Sequence, residues 1–120
     1  MVIQNLNKMK IKAIKIDVEK QSVYPIEITD NFRDIYGVIG NGCSLFCLPV
    51  KYENGDGLFA DDEILLRPSD IKGGFMFPGW SYPITNNAVI IGSNDEGDSV
   101  DCKSSIEDFN DIQFVHITNL

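Results

Sequence analysis

One stretch of this chain carries the stripe of an amphipathic helix, and strand-length apolar runs stand on both sides of it. Phe32, Ile35, Tyr36 and Ile39 recur at i, i+3, i+4 and i+7, which puts them on one helical face. Thr29 or Asp30 stands where an N-cap belongs, and Gly40 can close the far end in the left-handed conformation. A lone helix must bury that stripe against something, and the rest of the sequence offers mostly strands. The constraint is therefore an α+β fold, with the helix lying on a sheet.

The strands come in hairpin order. Residues 9–18, MKIKAIKIDV, are apolar in two phases: Met9, Ile11 and Ala13 in one, Ile14, Ile16 and Val18 in the other. A bulge or a strand covered on both faces accounts for the slip. VYPIEI follows with Tyr24, Ile26 and Ile28 on one face, and Pro25, which has no N–H to give a central ladder, marks it as an edge strand. GCSLFCLPVKY is apolar in both phases and is expected to be central. ENGDG carries the hairpin pairs Asn54-Gly55 and Asp56-Gly57 and returns the chain into LFADD. Residues 67–83 read as a long loop, regular structure resumes at NAVIIG, and SNDEGD is a turn. Ser104 and Glu107 have capping-box spacing for a short helix in SIEDFND, before a last strand in IQFVHIT. The expectation is a mostly antiparallel sheet of about five to six strands, one main helix packed on it and one short C-terminal helix.

At 120 residues the chain has the length of a single domain. Residues 1–8 read as a loose tail, or as a start upstream of Met9, and 9–120 as the domain. A net charge of −8, from 18 acidic and 10 basic residues, disfavours nucleic acid and anionic membrane, since both recruit clustered Lys and Arg. The start has no signal-peptide or transit-peptide character, and no apolar run approaches the roughly 20 residues that span a bilayer. Cys43, Cys47 and Cys102 are an odd set at irregular spacing, which fits buried thiols in a reducing cytoplasm.

The candidate chemistry is sparse. Asp61, Asp62 and Glu63 are consecutive, but in a strand Asp61 and Glu63 point one way and Asp62 the other, so a hard cation would need ligands from elsewhere. NDEGD fails the calcium-loop spacing, because counting back from Gly97 puts Gly92 at the first ligand position. Cys43, Cys47, Cys102 and His116 lack the paired short spacings of zinc sites, and His116 reads as a sheet residue. No serine sits in a nucleophile elbow, and GNGC and KGGF match no phosphate-binding loop. The aromatic loop GGFMFPGWSYP sets Phe75, Phe77, Trp80 and Tyr82 within eight residues. Such a segment either plugs an open end of the sheet or forms a contact surface.

The order of IKAIKID, the helix leading into IGNGCSLFCLP, LFADDE, and PITNNAVIIG with its acidic turn resembles a family of small uncharacterised domains encoded by phages and mobile elements of bacteria. The resemblance spans most of residues 9–98. It departs from the family between LFADDE and AVIIG, where such domains carry a short polar, helix-like piece in place of the aromatic loop. It implies a bacterial or phage cytoplasmic setting and brings no catalytic residues with it.

The expected function is a non-catalytic protein-interaction domain, of accessory or counter-defence type. It would bind an unknown protein partner through the acidic face, Asp61, Asp62 and Glu63, or through the aromatic loop, Phe75, Phe77, Trp80 and Tyr82. The alternatives are a small-ligand domain with a pocket near Trp80 and a metal-dependent enzyme using Asp61 and Glu63. No catalytic residue, cofactor or resident metal is expected.

Overall fold

A computed structural model describes residues 10–29 and 31–117, apart from the side chain of Phe32. The expected tail, the start at Met9 and the Asp30 cap lie outside the described residues. The fold is sheet-rich α+β, with one main helix, short 3₁₀ turns and antiparallel pairing throughout. Strands β1 (Lys10–Asp17), β2 (Ser22–Thr29), β3 (Phe46–Lys51), β4 (Gly57–Asp61), β7 (Ala88–Ser93) and β8 (Ser99–Val100) form the main sheet. Its order is β2-β1-β7-β4-β3, with β8 also on β7. Strands β5 (Gly74–Met76), β6 (Ile84–Thr85) and β9 (Gln113–Val115) form a second, three-stranded sheet in the order β6-β5-β9.

The two phases of β1 have a simple cause. Its register with β2 runs unbroken from Lys10↔Thr29 to Asp17↔Ser22, so there is no bulge. Ile11 and Ala13 belong to one buried cluster, with Ile28, Val89 and Ile91, and this cluster is covered by Ile35 and Ile39 of helix α1 (Phe32–Ile39). Ile14 and Ile16, with Val18 just beyond the strand, belong to another, with Leu58, Ala60, Ala88, Ile90, Phe75 and Phe109. The main sheet is thus the middle layer, with the helix on one face and the smaller sheet with a C-terminal 3₁₀ turn on the other.

Pro25 lies in an edge strand, as its missing donor requires. GCSLFCLPVKY, expected in the centre, contributes the strand at the opposite end of the sheet among the described residues. Its two apolar phases reflect a register shift between Cys47 and Val50 that adds one residue to β3. Phe46 faces the helix side against Tyr36 and Phe59, while Val50 reaches the other cluster. The strand is covered on different faces at its two ends, which makes both of its phases apolar. The central strand is β7, whose Ala88, Val89 and Ile90 are fully enclosed.

The helix is capped by Asn31, whose side chain accepts from the Asp34 N–H at 2.9 Å. Thr29 instead donates its N–H to Asp34 at 2.9 Å. Gly40 ends the helix at φ 69°, ψ −162°, a positive-φ extended conformation rather than the left-handed helical one. At the C-terminal end the structure has a single 3₁₀ turn, Ile106–Phe109, where a short helix was expected. Its capping box uses Ser105 and Asp108 rather than Ser104 and Glu107, because Ser104 is bonded elsewhere. Among the described residues, no helix is long and apolar enough to cross a membrane.

Candidate functional site

Residues 67–83 are far from structureless. Two 3₁₀ turns, Ile64–Leu66 and Pro68–Asp70, lead into β5, and Phe77-Pro78-Gly79-Trp80 closes a turn with Trp80 N–H donating to the Phe77 carbonyl at 3.1 Å. Gly79 has φ 90°, so a Pro-Gly pair supplies the geometry a type II turn demands. The segment covers a face of the main sheet rather than an open end. Phe75 is 0% exposed and belongs to the core, Phe77 and Trp80 are half-buried against it, and Tyr82 is 82% exposed.

Phe77 and Trp80 form one wall of a cleft of about 500 Å³. Val50 and Tyr52, at the end of β3, and Phe109 complete the apolar lining, with Asn54, Ser104 and Asp108 on its polar side. The rings touch in sequence: Phe77 and Trp80 at 4.9 Å and 67°, Phe77 and Phe109 at 5.9 Å, Tyr52 and Phe109 at 6.4 Å and 79°. The inclined and edge-to-face angles are those that aromatic quadrupoles favour between neighbouring rings. The Tyr52 hydroxyl is buried with no hydrogen-bond partner among the described residues. Burial first, and the nearby Asp56 carboxylate second, push its phenol above the ordinary range.

The polar side is fixed by Asp56, which is 0% exposed. Its carboxylate accepts from Ser104 Oγ at 2.6 Å, Ser104 N–H at 2.8 Å and Lys103 N–H at 3.0 Å. Burial opposes its charge, but the Ser104 hydroxyl, the two amides and the Lys103 charge outweigh that and hold it below the usual carboxylate value. A turn residue of one hairpin therefore anchors a segment almost fifty positions away. Asp56 was legible only as half of an Asp-Gly turn signal, and nothing near it in sequence points to Ser104.

The acidic triplet does not act as a unit. Asp61 ends β4 and is buried; its carboxylate meets Arg67 at 2.6 Å and also accepts the Glu63 N–H at 2.9 Å. Arg67 further donates to Asp70 at 2.9 Å and to the Asn41 carbonyl at 3.1 Å, so the group ties the loop after α1 to the turn after β4. The hydrogen bonds Arg67 donates to the Asp61 and Asp70 carboxylates push its pKa above the ordinary value. Asp62 is exposed and Glu63 half-exposed, both in the turn beyond the strand. Of the seven candidate contact residues, only Phe77 and Trp80 meet at the cleft; Asp61 and Phe75 are enclosed elsewhere.

SNDEGD is the hairpin turn expected, with Asn94 accepting from the Glu96 and Asp98 N–H groups at 2.9 Å. His116 lies just past β9 and is exposed rather than held in a sheet. All three cysteines are free and half-buried. Burial raises each thiol pKa, with Asp62 also acting on Cys47, which reaches about 11. Among the described residues, no three His, Cys, Asp or Glu side chains group as metal ligands.

Fold and cleft together define a small antiparallel α+β domain with an aromatic cleft between its two sheets' connecting segments. No protein-family model, curated protein or solved structure matches the chain.

Proposed function

We propose that this protein is a non-catalytic binding domain whose aromatic cleft takes a small ligand. The observation that carries the reading is the cleft itself: about 500 Å³, walled by Tyr52, Phe77, Trp80 and Phe109, with Asn54, Ser104 and Asp108 gathered on one side. That volume and that division between apolar wall and few polar groups match small-molecule sites. Pre-organisation supports it further, since the hydrogen bonds from Ser104 to the buried Asp56 carboxylate hold the polar side within the fold and reduce the ordering lost on binding. Trp80 is the sole tryptophan, so its emission reports on the cleft directly. A metabolite and fragment screen read by Trp80 fluorescence and by thermal shift should yield saturable ligands that raise the melting temperature. A screen in which no compound changes either signal would overturn the reading.

A protein partner is the second reading, and it rests on a different surface. Leu65 and Leu66 are 61% and 76% exposed in the turn that follows Asp62 and Glu63, an apolar pair beside two carboxylates where a partner can gain both area and charge contacts. Co-purification with Leu65→Ser and Leu66→Ser together should lose a partner that the parent chain retains; equal recovery would remove this surface from consideration. The setting we infer is the cytoplasm of a bacterium or phage-infected host, for which three free cysteines are suited.

A further inference from the structure

The lining of the cleft has a charge sense as well as a shape, and the geometry points to an organic ammonium cation, of trimethylammonium or methylated-amine type, as its ligand class. This rests on the small-ligand reading and narrows it. Four aromatic side chains, Tyr52, Phe77, Trp80 and Phe109, line one space. Their successive centroids lie 4.9 to 6.4 Å apart at inclined angles, so they pack edge to face in a continuous aromatic wall that lines that space. Aromatic rings attract a cation through their quadrupoles, and an aromatic lining favours a cation that is wide and weakly hydrated.

The polar lining agrees. Asn54, Ser104 and Asp108 include one carboxylate and no basic group. Asp108 uses Oδ2 to accept from the Ser105 N–H at 2.9 Å, while its Oδ1 has no hydrogen-bond partner among the described residues. The side chain is exposed at the rim, where a carboxylate draws in positive charge without the full cost of burying it. Asp56 adds a second negative charge behind Ser104. Lys103 is the opposing charge, with its Nζ near Gly55 at the neighbouring turn. An anionic ligand would meet Asp108 and the ring faces unfavourably, and a neutral one would gain apolar burial against the rings but no charge contact with either.

The test compares choline with 3,3-dimethylbutan-1-ol, which has the same shape and no charge, on the full chain by Trp80 fluorescence and calorimetry. Choline is expected to bind about threefold to thirtyfold more tightly than the alcohol, the range a desolvated cation–π contact supplies. Asp108→Asn and Phe77→Leu, both checked for an unchanged fold by thermal unfolding, should each weaken choline, and Lys103→Met should strengthen it. Equal binding of the two probes, or tighter binding of the alcohol, overturns the cation assignment and leaves the cleft as a binding site. If neither probe binds while the broader screen yields ligands, the cation assignment fails alone. If the screen yields none, both readings fail.

Discussion

Replacing Tyr52 by Phe removes one oxygen atom and should make the protein more stable. The hydroxyl is buried with no partner among the described residues, and burying an unpaired hydroxyl costs about 1–3 kcal/mol in proteins. The ring's edge-on contact with Phe109, at 6.4 Å and 79°, depends on the aromatic carbon skeleton and survives the change. A gain of about 1–2 kcal/mol is therefore expected, and the entropy of unfolding for a domain of this size converts it to a rise of roughly 4–8 °C in melting temperature. The check is a pair of thermal melts by circular dichroism, with urea unfolding to confirm that the m-value is unchanged. The alkaline limb adds a sign. Burial and Asp56 raise the Tyr52 pKa above 10.0, so the folded state holds its phenol proton longer than the unfolded chain does. Stability is then full below pH about 10 and falls as pH rises through the folded value. Tyr52→Phe should remove that part of the alkaline loss. An unchanged or lower melting temperature at pH 7 would refute the reasoning, because it would mean that the hydroxyl already has a partner in solution.

Other outcomes follow from the buried carboxylates and thiols. Asp56→Ala leaves Ser104 Oγ and the amides of Lys103 and Ser104 without their acceptor and should cost about 3–5 kcal/mol by denaturant titration, a large share of a typical domain's stability. Both Asp56 and Asp17 have depressed folded-state values, despite burial, through their hydrogen bonds. Their stabilisation is present above the unfolded carboxyl value and is lost as pH falls below about 4 through the folded values; Asp56→Asn should flatten that acid transition. Asp61→Asn should lower the melting temperature by about 5 °C or more, since Arg67 loses its enclosed partner, while Asp62→Asn stays within about 1 °C. With its thiol at about 11, Cys47 should react with iodoacetamide at pH 8 about tenfold more slowly than free cysteine, after allowing for the greater nucleophilicity of its thiolate. Mass spectrometry that finds Cys47 modified at the free rate would contradict its burial.

Local pattern carried the elements of this fold. The stripe Ile35, Tyr36, Ile39 needed a sheet beneath it, Pro25 needed an edge, and Asn54-Gly55 and SNDEGD needed to turn, because each of these depends on φ/ψ preference or on a donor the residue itself has or lacks. The same locality explains why β3 was misplaced. Two apolar phases report that both faces are covered somewhere along a strand and are silent on whether both edges are paired; one extra residue between Cys47 and Val50 is enough to separate the two.

The candidate site was half legible. Trp80 and Phe77 stood out because four aromatics in a glycine- and proline-rich segment are conspicuous in any frame. Tyr52, Phe109 and Asp108 did not, since nothing within a few residues of each distinguishes a cleft wall from ordinary core or turn. The acidic triplet misled in the opposite direction: three adjacent letters went to an enclosed ion pair with Arg67 and to an exposed turn. By itself, the sequence determined the main helix, most strands of the main sheet and the turns at ENGDG and SNDEGD, and that the chain carries a net negative charge. Only the tertiary structure decided that Asp56 would hold Ser104, that Asp61 would be spent on Arg67, and that four rings from three separate segments would enclose one cleft. Backbone preference acts over a few residues, whereas side chains meet wherever burying apolar area brings distant segments together.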